Sequence, residues 1–76
     1  MNNKRRELLR LASDPLSKAS DYVSQVLDDE RDCLDNMPEN LQYCEKCEKM
    51  EAAIENLESA IDSIYEGKES IAIAIE

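Results

Sequence analysis

Three cysteines are the residues of this chain whose type and spacing could support chemistry. Cys44 and Cys47 enclose Glu45 and Lys46, and Cys33 precedes them in the sequence. Neighbouring thiols can bind zinc or close a disulfide, but a structural zinc site takes four ligands, and the chain has no histidine and no fourth cysteine. Cysteine also packs as a small apolar side chain. We therefore predict packing roles for the three cysteines, keep zinc ligation as the alternative, and expect no cofactor.

The chain lacks most of the residues that other kinds of catalysis require. The lack of histidine excludes a nucleophile–histidine pair, and a single glycine excludes a glycine-rich phosphate loop. A thioredoxin-like reaction would need a βαβ context, and paired catalytic carboxylates would need a cleft. A thin helical rod provides neither, so we predict that the protein is not an enzyme.

Two long apolar stripes indicate the elements that position these residues. In each stripe the members recur at alternating intervals of three and four, a period typical of helices packed side by side. The first stripe comprises Leu9, Ala12, Leu16, Ala19, Val23, Val26, Glu30, Cys33 and Met37. The second comprises Tyr43, Cys47, Met50, Ile54, Leu57, Ile61, Ile64, Lys68, Ile71 and Ile75. The charged members, Glu30 and Lys68, either fix the register of the helices or extend their charges to solvent at the edge of the bundle.

The connection between the stripes is short and contains Pro38, so it favours an antiparallel return. We predict an all-α fold, an antiparallel, coiled-coil-like two-helix hairpin that forms one domain over residues 1–76. Its expected parts are a short N-terminal helix at 4–12, a first long helix at 15–36, a turn at 37–43 and a second helix at 39–75 with a frayed start. The division of the first helix rests on Ser13-Asp14-Pro15, which is typical of a helix start or a kink.

A lone hairpin leaves further apolar residues beside each stripe, and the chain has no Phe or Trp to thicken the core. These flanking residues are Leu27, Leu34, Ala53, Ala60 and Ala74. We therefore expect a homodimer in which two hairpins form a four-helix bundle. Gly67 is seven residues from Ala60 and from Ala74, so the three lie in one column along the same side of the helix. Gly67 either allows another helix to approach closely or weakens the end of its own helix. The residues expected to pack or self-associate are Leu16, Val23, Val26, Leu27, Leu34, Met50, Ala53, Ile54, Leu57, Ala60, Ile61, Ile64, Gly67 and Ile71.

The chain is acidic, with a formal net charge of −9. Residues 1–10 carry +3, so residues 11–76 carry −12, since −12 + 3 = −9. Such a body repels nucleic acid and anionic membranes and attracts basic proteins. The carboxylates expected on the outer side of the helices are Asp28, Asp29, Asp32, Asp35, Glu51, Glu55, Glu58, Asp62, Glu66 and Glu69. This array either imitates a nucleic-acid backbone and binds a basic partner, or only keeps the bundle soluble. No targeting or membrane-spanning segment is visible in the sequence, so we expect a cytoplasmic protein.

Two stretches resemble a group of short acidic helical-hairpin proteins found in bacteriophages and prophages. Residues 27–42 read L-D-D-E-R-D-C-L-D-N-M-P-E-N-L-Q, and residues 50–64 read M-E-A-A-I-E-N-L-E-S-A-I-D-S-I. The group carries an acidic run, a D-N-[LM]-P-E-N-L-Q hinge and an E-A-I-x-x-L-E-x-A-I-D-S-I helix. The chain departs from it at Cys33, Cys44 and Cys47, so the resemblance implies neither shared catalysis nor metal binding. It implies a phage or prophage origin and a place in the host cytosol, for a group with no agreed biochemical role.

These observations lead to one functional hypothesis and two alternatives. The hypothesis is a non-catalytic phage or prophage accessory protein that acts by protein–protein binding, as an acidic inhibitor of a host defence or nucleic-acid-binding protein. Its partner would be a host protein with a basic surface, with no direct contact to nucleic acid or membrane. The alternatives are a structural or adaptor bundle with a merely solubilising surface, and a thiol-ligated metal-binding protein.

Overall fold

The computed structural model describes residues 1–41 and 44–76 and contains two long helices that pack against each other. Helix α1 spans Asn3–Asp35, helix α2 spans Glu45–Ile75, and a short 3₁₀ segment spans Glu39–Leu41 between them. The described residues form no strand. The predicted all-α fold with two packed helices is therefore confirmed.

Hydrogen bonds between distant residues show that the two helices run antiparallel. Near the open end, Arg6 Nε donates to the carbonyl oxygen of Ile75 at 2.8 Å. Further along the rod, Lys68 Nζ donates to Ser17 Oγ at 2.7 Å, and the guanidinium of Arg31 reaches Glu58 Oε1 at 2.6 Å. Low-numbered residues of α1 thus contact high-numbered residues of α2, which confirms the hairpin.

Helix α1 is continuous through Pro15, whereas the sequence predicted separate helices at 4–12 and 15–36. It begins earlier than predicted because the side chain of Asn2 accepts from the backbone N–H of Arg5 at 2.9 Å, a helix N-cap. Proline removes the hydrogen bond to the carbonyl of Leu11, but Leu11 and Pro15 are both exposed, so water can hydrate that carbonyl. Of the two arrangements that Ser13-Asp14-Pro15 left open, the structure contains one long helix rather than a helix start at Pro15.

The hinge between the helices is longer than predicted, because α2 begins at Glu45 rather than at Glu39. Pro38 is followed by the 3₁₀ segment, in which the backbone N–H of Leu41 donates to the carbonyl of Pro38 at 2.9 Å. Cys44 is the N-cap residue of α2, and Glu45 and Glu48 lie in the first turn, where carboxylates complement the helix dipole. Tyr43, the first residue of the predicted second stripe, lies outside the described residues.

The face of α1 that packs against α2 is slightly rotated from the predicted one: six of the nine predicted residues are half-buried, and three are not. Leu27 is buried at 5% exposure, and Leu34 is half-buried. Three residues of the predicted first stripe are instead exposed, namely Ala19, Val26 and Cys33. A buried leucine removes more apolar surface from water than alanine or cysteine, which favours the rotated packing. The buried and half-buried residues of this face are Leu9, Ala12, Leu16, Ser20, Val23, Leu27, Glu30, Leu34 and, beyond the helix end, Met37.

The predicted face of α2 is confirmed from Cys47 to Ile75, since every residue of the second stripe in that range is buried or half-buried. Burial is nevertheless shallow along the rod. Among the described residues only Leu27 and Cys47 are buried, at 5% and 1% exposure. The molecule measures 60 × 14 × 13 Å, with a radius of gyration of 17.5 Å, against about 11 Å for a compact chain of this length. The hairpin therefore leaves much of its apolar surface partly in contact with water.

Candidate functional sites: the acidic face, the apolar side and the hinge thiols

The ten predicted acidic residues are all exposed, and we refer to them as the acidic face. Six of them lie on α2, where Glu51 and Glu69 mark the ends of a row about 27 Å long at 1.5 Å per residue. This row places a carboxylate about every 5 Å, compared with a phosphate about every 3.4 Å along one DNA strand. The other four lie on α1 toward the hinge and increase the density of negative charge there.

Little of this charge is neutralised within the chain. Among the described residues, Arg31 alone pairs with members of the acidic face, with Glu58 at 2.6 Å and with Asp28 at 3.9 Å. The other two ion pairs of the described chain, Arg10 with Glu7 and Lys49 with Glu45, lie elsewhere. Eight carboxylates of the acidic face are thus exposed without an ion-pair partner in the described part of the chain.

A second surface lies on the other side of the hairpin from the Arg31–Glu58 pair, because Cys33 is two residues from Arg31 and the two therefore lie on nearly opposite sides of α1. Cys33 and Lys46 line one groove near the hinge, so the columns that contain them lie on the same side. Residues seven positions apart stack nearly above one another on a helix. We call this surface the apolar side; its columns are Ala19, Val26 and Cys33 on α1 and Lys46, Ala53, Ala60, Gly67 and Ala74 on α2.

The apolar side also exposes larger side chains of α1. Leu8 is 62% exposed and Tyr22 is 63% exposed, and both lie in the column next to that of Val26, which is 51% exposed. A Cβ atom added at Gly67 would meet no atom of another described part of the chain within 4 Å, so α2 has open space beside it at this position. Among the described residues, carboxylates enter the apolar side at its hinge end, where Glu30 lies together with Asp29, which is thus a member of the acidic face that borders the apolar side. The two long surfaces of the rod therefore differ strongly in charge.

The thiols of Cys44 and Cys47 meet at the start of α2. Their sulfur atoms are 3.7 Å apart, and Cys47 Sγ also donates to the carbonyl oxygen of Leu41 at 2.7 Å. The backbone N–H of Cys47 lowers the pKa of the Cys44 thiol below its ordinary value, and the neighbouring Cys47 thiol adds to this effect. Burial raises the pKa of the Cys47 thiol, as does the proximity of Cys44. The two neighbouring thiols thus differ in acidity, with the lower pKa at Cys44 and the higher pKa at Cys47.

Cys33 does not join this pair to form a ligand cluster. It is exposed on α1 and lines the hinge groove with Met37 and Met50, whereas Cys47 is buried and its thiol donates to the carbonyl oxygen of Leu41. Within residues 1–41 and 44–76, no group of three or more potential ligands is close enough to hold a metal ion. The thiol-ligated metal hypothesis therefore gains no support from the geometry.

Hydrophobic spacing did not reveal the residues that tie the helices together. Arg6 belongs to a basic N-terminal run that charge alone would assign to solvent, yet it binds the carbonyl of Ile75 at the end of α2. Ser17 is a half-buried polar residue whose role follows only from the position of Lys68 across the interface. The available signal was the charge of Lys68 within an apolar stripe, which marked it as a register residue or an edge residue.

Comparison with known proteins gives no family for this chain: no family model matches it, and no similar curated protein or solved structure was found. Neither described helix contains a stretch that is apolar enough to cross a lipid bilayer.

Proposed function

We propose that this protein is a non-catalytic binding protein whose acidic face occupies the basic surface of another protein. The observation that carries the proposal is the row of exposed carboxylates on α2, which few ion pairs neutralise in the described chain. The resemblance to phage and prophage hairpins suggests the setting, in which the chain acts as an accessory protein that inhibits a host defence or nucleic-acid-binding protein in the cytoplasm.

The proposed mechanism is competition with phosphate. A rigid row of negative charge attracts a groove lined by Lys and Arg and lowers the free energy of the complex by Coulomb interaction. Because the helix fixes the carboxylates at regular intervals, little conformational freedom is lost when the partner binds. The inhibitor would then exclude nucleic acid from the groove without contacting nucleic acid itself.

The proposal includes a homodimer in which a second copy covers the apolar side. The chain exposes 5974 Å² of surface, whereas a compact monomer of this mass would expose about 4,700 Å². The excess exceeds the roughly 800 Å² that each partner buries in a standard interface. Small residues such as Ala60 and Gly67 allow close approach of another helix, and carboxylates are largely confined to other faces of the rod. Pairing through the apolar side would form a four-helix bundle and leave the acidic face accessible.

The test of the proposed function is a salt-graded capture from host lysate with matched charge variants. In the face variant, Glu55→Gln, Asp62→Asn and Glu66→Gln remove three exposed, unpaired carboxylates of the acidic face. In the control variant, Asp14→Asn, Asp21→Asn and Glu39→Gln remove the same charge from other exposed positions. We expect the wild type and the control to retain the same basic protein. The face variant should bind it about tenfold more weakly or worse.

Two further readouts decide between this function and the adaptor alternative. Binding by the acidic face should be lost as salt rises to about 0.5 M, where charges are screened within a few ångströms, and duplex DNA should compete for the captured protein. An adaptor that binds through apolar contacts would keep its partner at high salt and would not distinguish the two variants. The latter result would contradict the proposed inhibitor function.

A further inference from the structure

The most enclosed side chain of the described molecule is a thiol, and it lies beside another thiol. Cys47 is only 1% exposed, and its sulfur atom is 3.7 Å from that of Cys44. A disulfide requires a separation of about 2.05 Å, so the sulfur atoms must approach by less than about 2 Å. Cys44 lies at the N-cap, outside the regular turns of α2, where rotation of its side chain leaves the helical hydrogen bonds intact.

The surroundings give the two thiols different reactivity. Cys44 is partly accessible at the N-terminus of α2, where the helix dipole favours a thiolate, and the pKa of its thiol is lowered. Cys47 is closed off from solvent and donates to the carbonyl oxygen of Leu41, which favours its protonated form. An incoming reagent therefore meets Cys44 first, and Cys47 lies within reach of any group that becomes attached to Cys44.

We propose that Cys44 and Cys47 form a redox-active dithiol that low-molecular-weight disulfides oxidise to an intramolecular disulfide at the hinge. This inference is independent of the proposed function, since it concerns the start of α2 and requires no partner protein. It also departs from the packing role that the sequence predicted for these cysteines.

The reaction proceeds by two thiol–disulfide exchanges. The Cys44 thiolate attacks one sulfur of the small disulfide, forms a mixed disulfide and releases one small thiolate, which takes up a proton from water. Cys47 then loses its proton to solvent and attacks the sulfur of Cys44, which forms the internal disulfide and expels the second small thiolate. The protein dithiol loses two electrons and two protons, and the small disulfide gains both, giving two small thiols.

Oxidised glutathione serves as the probe, applied to the full chain at neutral pH with a chelator present. Free thiols are then alkylated, and the products are identified by mass spectrometry with peptide mapping. We expect one product that has lost two hydrogen atoms, with Cys44 joined to Cys47 and with Cys33 alkylated. Reduction with dithiothreitol before alkylation should give a product in which all three cysteines are alkylated.

Single variants separate the two roles. Cys47→Ser should stop at the glutathione adduct on Cys44, because the thiol that resolves the adduct is missing. In Cys44→Ser, Cys47 should remain largely reduced. Its reaction with oxidised glutathione should be slower than that of the wild type by about tenfold or more, because the buried thiol is poorly ionised. Cys33→Ser is the matched control and should oxidise like the wild type. Preferential adducts on Cys33, intermolecular Cys33 disulfides, or a Cys47→Ser variant that takes up no glutathione at Cys44 would each overturn the proposal.

Discussion

Lys68 is a charged residue in the contact between the helices, and its ammonium group is held by a hydrogen bond to the hydroxyl of Ser17. Both side chains are half-buried. A hydrogen bond with a charged donor is stronger than a neutral one, and partial burial limits the competition from water. Because the bond joins particular positions on α1 and α2, it opposes sliding of one helix along the other.

A double-mutant cycle measures this contribution. With Lys68→Met, which keeps an unbranched stem, and Ser17→Ala, we expect a coupling free energy of about 1 kcal/mol in urea unfolding. The exposed Arg31–Glu58 pair provides the comparison and should give about 0.2–1 kcal/mol, falling as salt is added. A Lys68–Ser17 coupling indistinguishable from zero would mean that the lysine only extends to solvent.

At the scale of elements, hydrophobic spacing predicted α2 well and α1 less well. On α2 the branched apolar residues fill one face, and the carboxylates fill another, so only one orientation buries the apolar side chains. On α1 two neighbouring columns compete: one holds Ala19, Val26 and Cys33, and the other holds Ser20, Leu27 and Leu34. Counting apolar residues favours the first column, while the area that the leucines bury favours the second, which is the one that faces α2.

The candidate surfaces show the same division between what a pattern can and cannot predict. Exposure of the acidic residues followed from their helical spacing, since a 3.6-residue period places them away from the apolar stripe. The approach of Cys44 to Cys47 did not follow, because it depends on α2 beginning at Glu45 and on the hydrogen bond from Cys47 to the carbonyl of Leu41 in the 3₁₀ segment. Hydrophobic spacing does not predict local hinge geometry of this kind.

Replacement of Pro15 tests the continuity of α1. In an unbroken helix Pro15→Ala restores the hydrogen bond to the carbonyl of Leu11 and removes a steric conflict, so the free energy of unfolding should rise by about 2 kcal/mol. Asp14→Ala is the discriminating companion. Inside a helix it should be neutral or slightly stabilising, whereas at an N-cap it would cost about 1 kcal/mol.

Urea unfolding followed by circular dichroism gives both values. If Pro15→Ala leaves stability unchanged while Asp14→Ala lowers it, α1 is two helices that meet at Pro15. The opposite pair of results supports the single helix from Asn3 to Asp35.

At the scale of the whole molecule, the two long surfaces of the rod suggest separate tasks. The apolar side carries Leu8, Tyr22 and Val26 in contact with water, and the acidic face carries eight carboxylates that have no ion-pair partner among the described residues. A rod only 14 Å across cannot enclose its apolar residues alone. Association through the apolar side would hide these residues and place acidic faces on the exterior of the bundle, where a basic partner could reach them.

The most direct test of this account is the mass of the protein in solution, measured by light scattering at micromolar concentration. We expect twice the chain mass of 8.7 kDa for the wild type. Val26→Glu should give a monomer because it places a charge in the interface, whereas Gln25→Glu, which adds the same charge on an exposed neighbouring residue outside the apolar side, should remain dimeric. A wild-type mass of 8.7 kDa with full helicity and cooperative unfolding would contradict the account.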